Sequence, residues 1–385
     1  MLPYMHPITS SDGAHAHGPW GGHHYDTNMR DAGRHVVSIM TSIFTFNECK
    51  KSAQLHFRAI KECHGEGTCN TGDWWNIVDG GKGNVAGMDA ELPQGNAFLC
   101  TRHTGDRVKD NCSAGELSKY HQAVRATTRL KLTTVEDTFK EGTTTYIEKR
   151  KGAAKHMKVE LFPVNAAVRD NTTTNWSEGS HAANAPARSV PMHCGVYEFN
   201  NAHRERFFSN RAKAQSCEGV LPPKVTDILE QVTETARKLQ GEVAMPDPEN
   251  KDREGKILSA SGTRVLISDI SGDRQVSDVS CSCGVPAVKG HPCGHNVKHA
   301  MELGLAGSSL FHYKDTTSCW QEQYPEDAEW PEISLHTARE NGLSNPKVRY
   351  PPLPAPKVGR PKGTKRKRRY DEKEQPAGNK RKRAT

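Results

Sequence analysis

The sequence predicts a multidomain protein of the α+β class, and three observations lead to this prediction. The chain has 385 residues, a length that suits two or three domains. Residues 224–240 place apolar side chains at the spacing of one helix face, whereas residues 264–269 form a β-branched run typical of a strand. A cluster of cysteine and histidine residues follows that strand, and a basic tail ends the chain. Helices, strands, a candidate metal site and a charged tail therefore occupy successive segments.

Composition and charge exclude several classes of protein. Apolar residues make up 34% of the chain, so some segments are expected to lie outside any packed core. The richest apolar stretch, residues 36–44, is far shorter than the roughly 20 residues of a membrane-spanning helix. No charged-then-apolar leader opens the chain, so we expect neither a membrane protein nor a secreted one. The 11 cysteines, an odd number, argue against a disulfide framework and favour a reducing compartment.

The upstream half divides into a head and an α/β region. Residues 1–24 are rich in glycine, histidine and proline and are predicted to be a flexible head. Four histidines of this head are potential metal ligands: His15, His17, His23 and His24. From residue 25 to residue 190, short apolar runs alternate with glycine and aspartate turns, and charged stretches of helical character follow. This region is predicted to combine strands and helices.

A helical linker is predicted over residues 191–245. Its clearest helix spans residues 224–240, because Pro222 and Pro223 stand where helices begin and Gly241 stands where they end. Such an amphipathic helix must pack its apolar face against a neighbouring element.

The strongest local signal is three cysteines and one histidine in the pattern C-x-C-x9-C-x-H. The four residues are Cys281, Cys283, Cys293 and His295. The first pair follows a predicted hairpin of strands 264–269 and 275–279, and the second pair opens a predicted helix over 294–303. Three thiolates and one imidazole complete a tetrahedral Zn²⁺ site with no open position, so the ion would be structural. The nearby His291 and His299 are predicted to be surface residues or residues that contact the ligands.

This spacing resembles the SWIM zinc finger, and the match extends over all four ligand positions. The resemblance implies a small ββα zinc module over residues 255–306. A segment rich in tyrosine, tryptophan and proline follows over residues 307–345, and residues 346–385 are Pro-rich and then basic. This order resembles the C-terminal end of Mutator-like element (MULE) transposases. The segments Arg206-Phe-Phe-Ser-Asn-Arg and Leu221-Pro-Pro-Lys-Val are also similar to the helical linker of that family.

The MULE resemblance implies an RNase H-like fold with a triad of acidic residues in the upstream region. Asp26 in Tyr-Asp-Thr, Asp79 in Ile-Val-Asp-Gly and Glu178 in Asn-Trp-Ser-Glu-Gly-Ser stand in the expected order. Cys100 and His103 match the C-x-x-H that the family carries between its second and third acidic residues. Because the stretch between Asp26 and Asp79 is shorter than in the family, the RNase H-like region over 25–190 is expected to be incomplete.

Carboxylates are the residue type that this chemistry requires. Cleavage and transfer of a DNA strand is an in-line displacement at phosphorus that two Mg²⁺ ions assist, and hard cations take oxygen ligands. The resemblance therefore assigns Asp26, Asp79 and Glu178 as magnesium ligands if the protein is catalytically active. Cys100 and His103 leave three interpretations open: half of a metal site, a structural contact near the active centre, or ordinary buried residues.

The positive charge lies in the tail. Residues 357–385 sum to +10, whereas the rest of the chain sums to −2, so the tail is predicted to be disordered and to bind phosphates. Its Gly-Arg-Pro core resembles an AT-hook, which lies in the minor groove of A·T-rich DNA. The residues predicted to contact DNA are Gly359, Arg360, Pro361, Lys362, Lys365, Arg366, Lys367, Arg368 and Arg369. Such a basic run also predicts nuclear localisation.

Three functions follow as hypotheses. The first is a transposase-derived zinc-finger protein that is associated with DNA in the nucleus, with or without catalysis. The second is an active DDE-type MULE transposase that uses Mg²⁺. The third is a domesticated regulator whose finger binds a protein partner while its tail contacts DNA. The absence of a Gly-rich phosphate loop and of a G-x-S-x-G elbow argues against other hydrolases.

Overall fold

A mixed five-stranded sheet forms the centre of the upstream half in the computed structural model. The structure describes residues 4–17, 21–80, 83–151, 173–239, 243–244, 254–257, 264–267 and 279–330, which belong to one unit. The strands are β1 Ile8–His15, β2 His23–Arg30, β3 Val36–Phe44, β4 Trp75–Val78 and β5 Asn96–Leu99. Their order is β3-β2-β1-β4-β5, so the first strand is central. The pairs β1–β2 and β2–β3 are antiparallel, whereas β1–β4 and β4–β5 are parallel.

Seven helices lie between these strands or after them, up to residue 151. They are α1 Lys50–His64, α2 Glu66–Cys69, α3 Asn84–Glu91, α4 Thr101–Asn111, α5 Ala114–Val124, α6 Arg129–Glu136 and α7 Glu141–Lys151. The first helix begins with a capping interaction in which the Cys49 amide donates to Ser52 Oγ at 3.0 Å. It buries Phe57 and Ile60 against Tyr25 and Met88 in the larger core. Burial of such apolar area is the main force that holds helix and sheet together.

Two long helices connect the sheet to the downstream half. They follow α8 Asn175–Ala183 and the short α9 Ala185–Arg188, and they are α10 Met192–Gln215 and α11 Pro223–Lys238. The eighth helix packs on β1 and β2 and buries Trp176 beside Ile8 and Ile77. Because side chains alternate along a strand, Ile77 joins this cluster while Val78 joins the core on the opposite face. The sheet is therefore covered on both faces.

The downstream half is a small sheet with two short helices. Its strands are β6 Val243–Ala244, β7 Glu254–Ile257, β8 Arg264–Ile267 and β9 Val279–Cys281, paired antiparallel in that order. The helices are α12 Val285–Lys289 and α13 Gly294–Glu302. Ala236 on α11 packs against Val297 and Ala300 on α13, so the linker helix supports this module.

The segment after the module returns to the first sheet. Two 3₁₀ turns, Gly307–Leu310 and Tyr313–Asp315, lead into α14 Thr317–Gln323. Asp31, in the turn between β2 and β3, accepts hydrogen bonds from Trp320 Nε1 at 3.1 Å and from the Tyr324 hydroxyl at 2.9 Å. This buried contact joins the C-terminal part of the described chain to the sheet.

The structure confirms the α+β class and several predicted elements. The helix predicted over 224–240 is α11, the helix predicted over 294–303 is α13, and the strand predicted over 264–269 is β8. Most of the returning strand predicted over 275–279 and all of the basic tail lie outside the described residues. None of the helices in the described ranges combines the length and the apolar character that a membrane span requires.

The upstream boundary differs from the prediction. Residues 1–24, predicted to be a flexible head, contain the central strand β1 and the start of β2. Ser10 and Ser11 in β1 are fully buried although they are polar, because Ser11 hydrogen-bonds to Thr27 Oγ1 at 2.6 Å and to Asn76 Oδ1 at 2.9 Å. The sheet thus begins about 17 residues before residue 25, where the α/β region was predicted to start.

Candidate functional site

The four residues of the cysteine–histidine pattern converge in space. The ligand atoms of Cys281, Cys283, Cys293 and His295 all lie within 4.8 Å of one another. His295 Nδ1 is 3.7 Å from Cys281 Sγ and 3.7 Å from Cys293 Sγ. A tetrahedral zinc ion with bonds of about 2.3 Å to sulfur and about 2.0–2.1 Å to nitrogen would separate these atoms by about 3.6 Å. The four side chains could therefore hold a metal ion such as zinc.

Electrostatics support the interpretation of this cluster as a cation site. The sulfurs of Cys281 and Cys283 raise the pKa of His295 to about 9. Hydrogen bonds to the sulfurs of Cys281 and Cys283, followed by burial and by the negative charge of those sulfurs, raise the pKa of Cys293. A divalent cation would neutralise this concentration of negative charge. His291 is outside the cluster, and its Nδ1 is 2.9 Å from the carbonyl oxygen of Pro292.

Asn296 connects the two chain segments that carry the cysteine–histidine cluster. Its side chain is fully buried, and its Oδ1 accepts hydrogen bonds from the Cys293 amide at 3.1 Å and from Cys293 Sγ at 2.9 Å. Its Nδ2 donates to the carbonyl oxygen of Ser280, next to Cys281, at 2.9 Å. One amide side chain thus fixes the start of α13 against the end of β9. The sequence analysis did not identify Asn296 as part of the site, although its position three residues after Cys293 is typical of a helix-capping residue.

A second group of polar residues lies where the parallel pairing of β1 with β4 ends. The last parallel pair is Ser11 with Val78, so the next residues are Asp12, within β1, and Asp79, just after β4. In open α/β sheets this edge, where the connections diverge, is a common place for ligands. The carboxylates of Asp79 and Glu178 both act electrostatically on Asp12. Three carboxylates from β1, the end of β4 and α8 therefore face one region.

The environment of Asp12 disfavours its charge. Asp12 is buried, and burial followed by the nearby Asp79 raises its pKa to about 8. Glu48 adds another acidic side chain, since its carboxyl group lies beside Gly13, where a Cβ atom would be 3.1 Å from Glu48 Cδ. Asn84 Nδ2 donates to Asp79 Oδ1 at 2.6 Å. Oxygen donors are the ligands that Mg²⁺ takes, so the composition of this acidic centre fits a hard cation.

Basic side chains from the start of α4 border the acidic centre. Arg102 forms an ion pair with Glu178, and His103 Nε2 is 3.9 Å from Glu178 Oε1. Among the described residues, the cysteine–histidine cluster is the one group of three or more potential ligands whose atoms all lie within 4.8 Å. The ligand oxygens of Asp12, Asp79 and Glu178 are therefore not all within 4.8 Å of one another, and Glu178 is turned towards Arg102.

Cys100 and His103 lie beside this centre. Cys100 is buried and its sulfur accepts hydrogen bonds from the Thr174 amide at 3.3 Å and the Thr174 hydroxyl at 3.5 Å, four residues before Glu178. Burial opposes ionisation of Cys100, but hydrogen bonds from His103 and Thr174 outweigh it and lower its pKa. The same bond to Cys100 raises the pKa of His103 to about 9. Of the three interpretations left open, this arrangement favours a structural contact near the acidic centre.

Asp26 occupies a different position from the one that the sequence analysis gave it. It lies on β2 directly opposite Asp12, is fully buried, and accepts a hydrogen bond from Thr41 Oγ1 at 2.7 Å. Burial raises its pKa to about 6, against the opposing effect of hydrogen bonds from Thr41 and Ser180 and of the charges of Arg206 and Arg188. The structure therefore brings Asp79 and Glu178 together with Asp12, and Asp26 lies one strand away from them.

Asp12 is the one acidic residue before Asp26 in the sequence. It was overlooked because β1 has the polar sequence ITSSDGAH, which lacks an apolar alternation.

The basic residues predicted to bind DNA, from Gly359 to Arg369, lie outside the described residues. Comparison of the chain with protein-family models and with curated proteins gives no match.

Proposed function

We propose that this protein is a transposase-like enzyme that cleaves and joins DNA strands with divalent cations and carries a structural zinc finger. The observation that carries the proposal is the convergence of Asp12, Asp79 and Glu178 on one edge of the sheet. The five strands, with an antiparallel β1–β2–β3 meander and parallel β4 and β5, support an RNase H-like assignment. In this proposal Asp12 takes the place of Asp26 as the first acidic residue.

The residues of the acidic centre have distinct roles in this proposal. Asp12, Asp79 and Glu178 would hold the cations, which when bound activate the attacking oxygen and stabilise the leaving one. Arg102 and His103 supply positive charge beside Glu178, where a phosphate group of DNA would be attracted. Cys100 and Thr174 hold the starts of α4 and α8 together and so keep these basic residues beside the carboxylates.

Cleavage of DNA by the purified full-length chain tests the proposal. We expect nicking of duplex DNA that requires Mg²⁺ or Mn²⁺ and falls at least about 100-fold in Asp79→Asn, because a carboxylate ligand is lost. Asp73→Asn is the matched control, since Asp73 is exposed in the turn before β4. Undiminished cleavage in Asp79→Asn would contradict the assignment.

A DNA-associated protein without catalysis is the second candidate, and the Arg102–Glu178 ion pair favours it. A carboxylate engaged by arginine is less available to a cation than a free one. DNA binding without cleavage, in either cation, would support this candidate. In both candidates the tail supplies DNA contact. Deletion of residues 357–385 distinguishes DNA contact by the tail from DNA contact at the acidic centre. If the tail supplies the contact, DNA binding by the shortened chain should depend less steeply on salt concentration.

We further propose that the cysteine–histidine cluster is a SWIM-type finger that binds one structural zinc ion, and that the protein acts in the nucleus. Elemental mass spectrometry should find one zinc per chain and none in Cys293→Ser. A folded chain that contains no zinc would contradict the finger assignment. Nuclear accumulation of the full chain, lost on deletion of residues 357–385, tests the localisation, and capture of a protein by the finger would support a regulatory role.

A further inference from the structure

The surface by which α8 packs on the first sheet is unusually polar. A helix normally covers a sheet with an apolar stripe. Here Ser177 Oγ donates to the carbonyl oxygen of Ser10 on β1 at 2.8 Å and accepts from Asn28 Nδ2 on β2 at 3.1 Å. Ser177 and Ser10 are both fully buried. Hydrogen bonds of this kind are directional and therefore fix the position of the helix along the strands. Apolar contacts constrain that position less strictly.

His181 continues this polar surface one turn later. It is 6% exposed and lies between two aspartates that face it from neighbouring strands. Its Nδ1 is 4.0 Å from Asp12 Oδ2, and its ring is hydrogen-bonded to the backbone of Asp12. Its Nε2 is 3.4 Å from Asp26 Oδ2. Glu178 precedes His181 by three residues, so the two side chains share one face of α8.

Asp26 is held in turn by residues on both sides of it. Thr41 Oγ1 on β3 donates to its Oδ1 at 2.7 Å, and Ser180 Oγ on α8 donates to its Oδ2 at 3.5 Å. The carboxyl group has no exposure to solvent. Burying a carboxyl group costs free energy, and these two hydrogen bonds offset only part of that cost. The presence of Asp26 at this point therefore indicates a role beyond packing.

We propose that Asp26 is a positioning residue of the acidic centre. It orients His181, and His181 fixes α8 against β1, so that Glu178 on the helix and Asp12 on the strand keep their relative placement. The inference rests on the proposed function, because it assumes that Asp12, Asp79 and Glu178 bind divalent cations. Asp26 itself does not contact the cations in this account.

Binding of Mn²⁺ to the full-length, zinc-loaded chain, followed by electron paramagnetic resonance, tests the proposal. In Asp26→Asn an amide replaces the carboxyl group, keeps a polar oxygen beside His181 Nε2 and can still accept the hydrogen bond from Thr41 Oγ1, so we expect an affinity within about twofold of the unsubstituted chain. In Asp26→Leu the partner of His181 is lost, and we expect a loss of about tenfold or more, as for other residues that orient metal ligands. Circular dichroism at the assay temperature verifies that each variant is folded.

A second substitution keeps the test decisive if Asp26→Leu fails to fold. His181→Phe retains a ring but removes both nitrogens, and we expect the same loss of Mn²⁺ affinity. The double variant should lose no more than either single one, because both residues act through one contact. Losses that add in the double variant would overturn the proposal, as would full affinity in Asp26→Leu.

The test also separates this inference from the proposed function. If Asp79→Asn leaves Mn²⁺ binding unchanged, the cation centre itself is refuted, and the role of Asp26 with it. If Asp79→Asn abolishes binding and Asp26→Asn does so equally, then Asp26 is a ligand rather than a positioning residue, and only the present inference is overturned.

Discussion

Asp12 and Asp26 are directly opposite each other on the antiparallel strands β1 and β2. Their neighbours differ, because β1 also pairs with the parallel strand β4 whereas the other partner of β2 is the antiparallel strand β3. Only Asp12 therefore lies beside the strand that Asp79 follows. Asp26 lies on the same face of the sheet as Asp12, one strand farther from Asp79.

Replacement of Asp12 by asparagine should stabilise the protein without cations and abolish stabilisation by them. A buried carboxylate beside Asp79 and Glu178 experiences both desolvation and repulsion, which a neutral amide avoids. Thermal unfolding should therefore show a higher midpoint for Asp12→Asn than for the unsubstituted chain in a chelator. Adding Mn²⁺ should raise the midpoint of the unsubstituted chain and leave that of Asp12→Asn unchanged. An equal rise in both proteins would mean that the cation binds elsewhere.

The sequence predicted those elements whose physical signal is local. The helix α11 has proline at its first position and an apolar face, and the metal ligands are close together in the chain, so spacing alone indicated both. The first strand had no such signal. Thr9, Ser10 and Ser11 are buried because partners from β2, β4 and α8 satisfy their hydrogen bonds, and those partners are up to 167 residues away. Periodicity within β1 could not reveal contacts at that separation.

The acidic residues of the upstream half show the same limit. Asp79 and Glu178 were assigned from the motifs Ile-Val-Asp-Gly and Asn-Trp-Ser-Glu-Gly-Ser, through their resemblance to the MULE family. The proximity of Asp12 to Asp79 depends on the register of β1 on β4, which only the assembled sheet provides. The role of Asn296 could not be predicted either. Its position is typical of a helix-capping residue, but the sequence does not reveal its hydrogen bond to the carbonyl oxygen of Ser280 on the other side of the cysteine–histidine cluster.

Asn296→Ala should weaken zinc binding without removing a ligand. The substitution deletes the hydrogen bonds to the Cys293 amide and to the carbonyl oxygen of Ser280, so the start of α13 is no longer fixed against the end of β9. We expect a fall in zinc affinity of about 10–100-fold, measured by competition with a chromophoric chelator. His291→Gln is the control, because His291 is outside the cluster, and its affinity should equal that of the unsubstituted chain. Unchanged affinity in Asn296→Ala would show that the ligands are positioned without it.

Gly284→Ala should weaken the contact between the segment that carries the cysteine–histidine cluster and Thr127 in the upstream half. Gly284 has a positive φ of 75°, and a Cβ atom there would overlap the carbonyl oxygen of Thr127. The left-handed conformation alone costs a non-glycine residue about 1–2 kcal/mol, and the overlap with Thr127 adds to it. Gly304→Ala is a matched control, since Gly304 has a φ of 69° and a Cβ atom there would meet no described residue within 4 Å.

Hydrogen exchange distinguishes the two glycine variants. In Gly284→Ala the amides around Thr127 should exchange faster, because the finger must move away from this loop. In Gly304→Ala the same amides should keep their protection against hydrogen exchange. The midpoint of thermal unfolding should fall only because alanine is strained at a positive φ. Equal exchange in the two variants would mean that the contact between Gly284 and Thr127 does not hold the finger in place.

His56 should make the protein sensitive to acid. This residue is fully buried in α1 between Thr27 Oγ1 at 2.7 Å and Ser42 Oγ at 2.7 Å, and burial lowers its pKa to about 3. An unfolded histidine has a pKa of about 6.5, so between pH 6.5 and pH 3 the unfolded chain binds the additional proton and stability falls as the pH falls. From pH 6.5 to pH 5.0 this one group should remove about 2 kcal/mol from the free energy of unfolding.

The substitution His56→Gln isolates this contribution. Glutamine can bond to both hydroxyls but does not titrate, so urea unfolding at several pH values should show a gap between the two proteins that changes by about 2 kcal/mol over that interval. His17→Gln, at an exposed position, should follow the pH profile of the unsubstituted chain. Parallel profiles for His56→Gln and the unsubstituted chain would mean that the pKa of His56 is the same in the folded and unfolded chains, so that burial does not lower it.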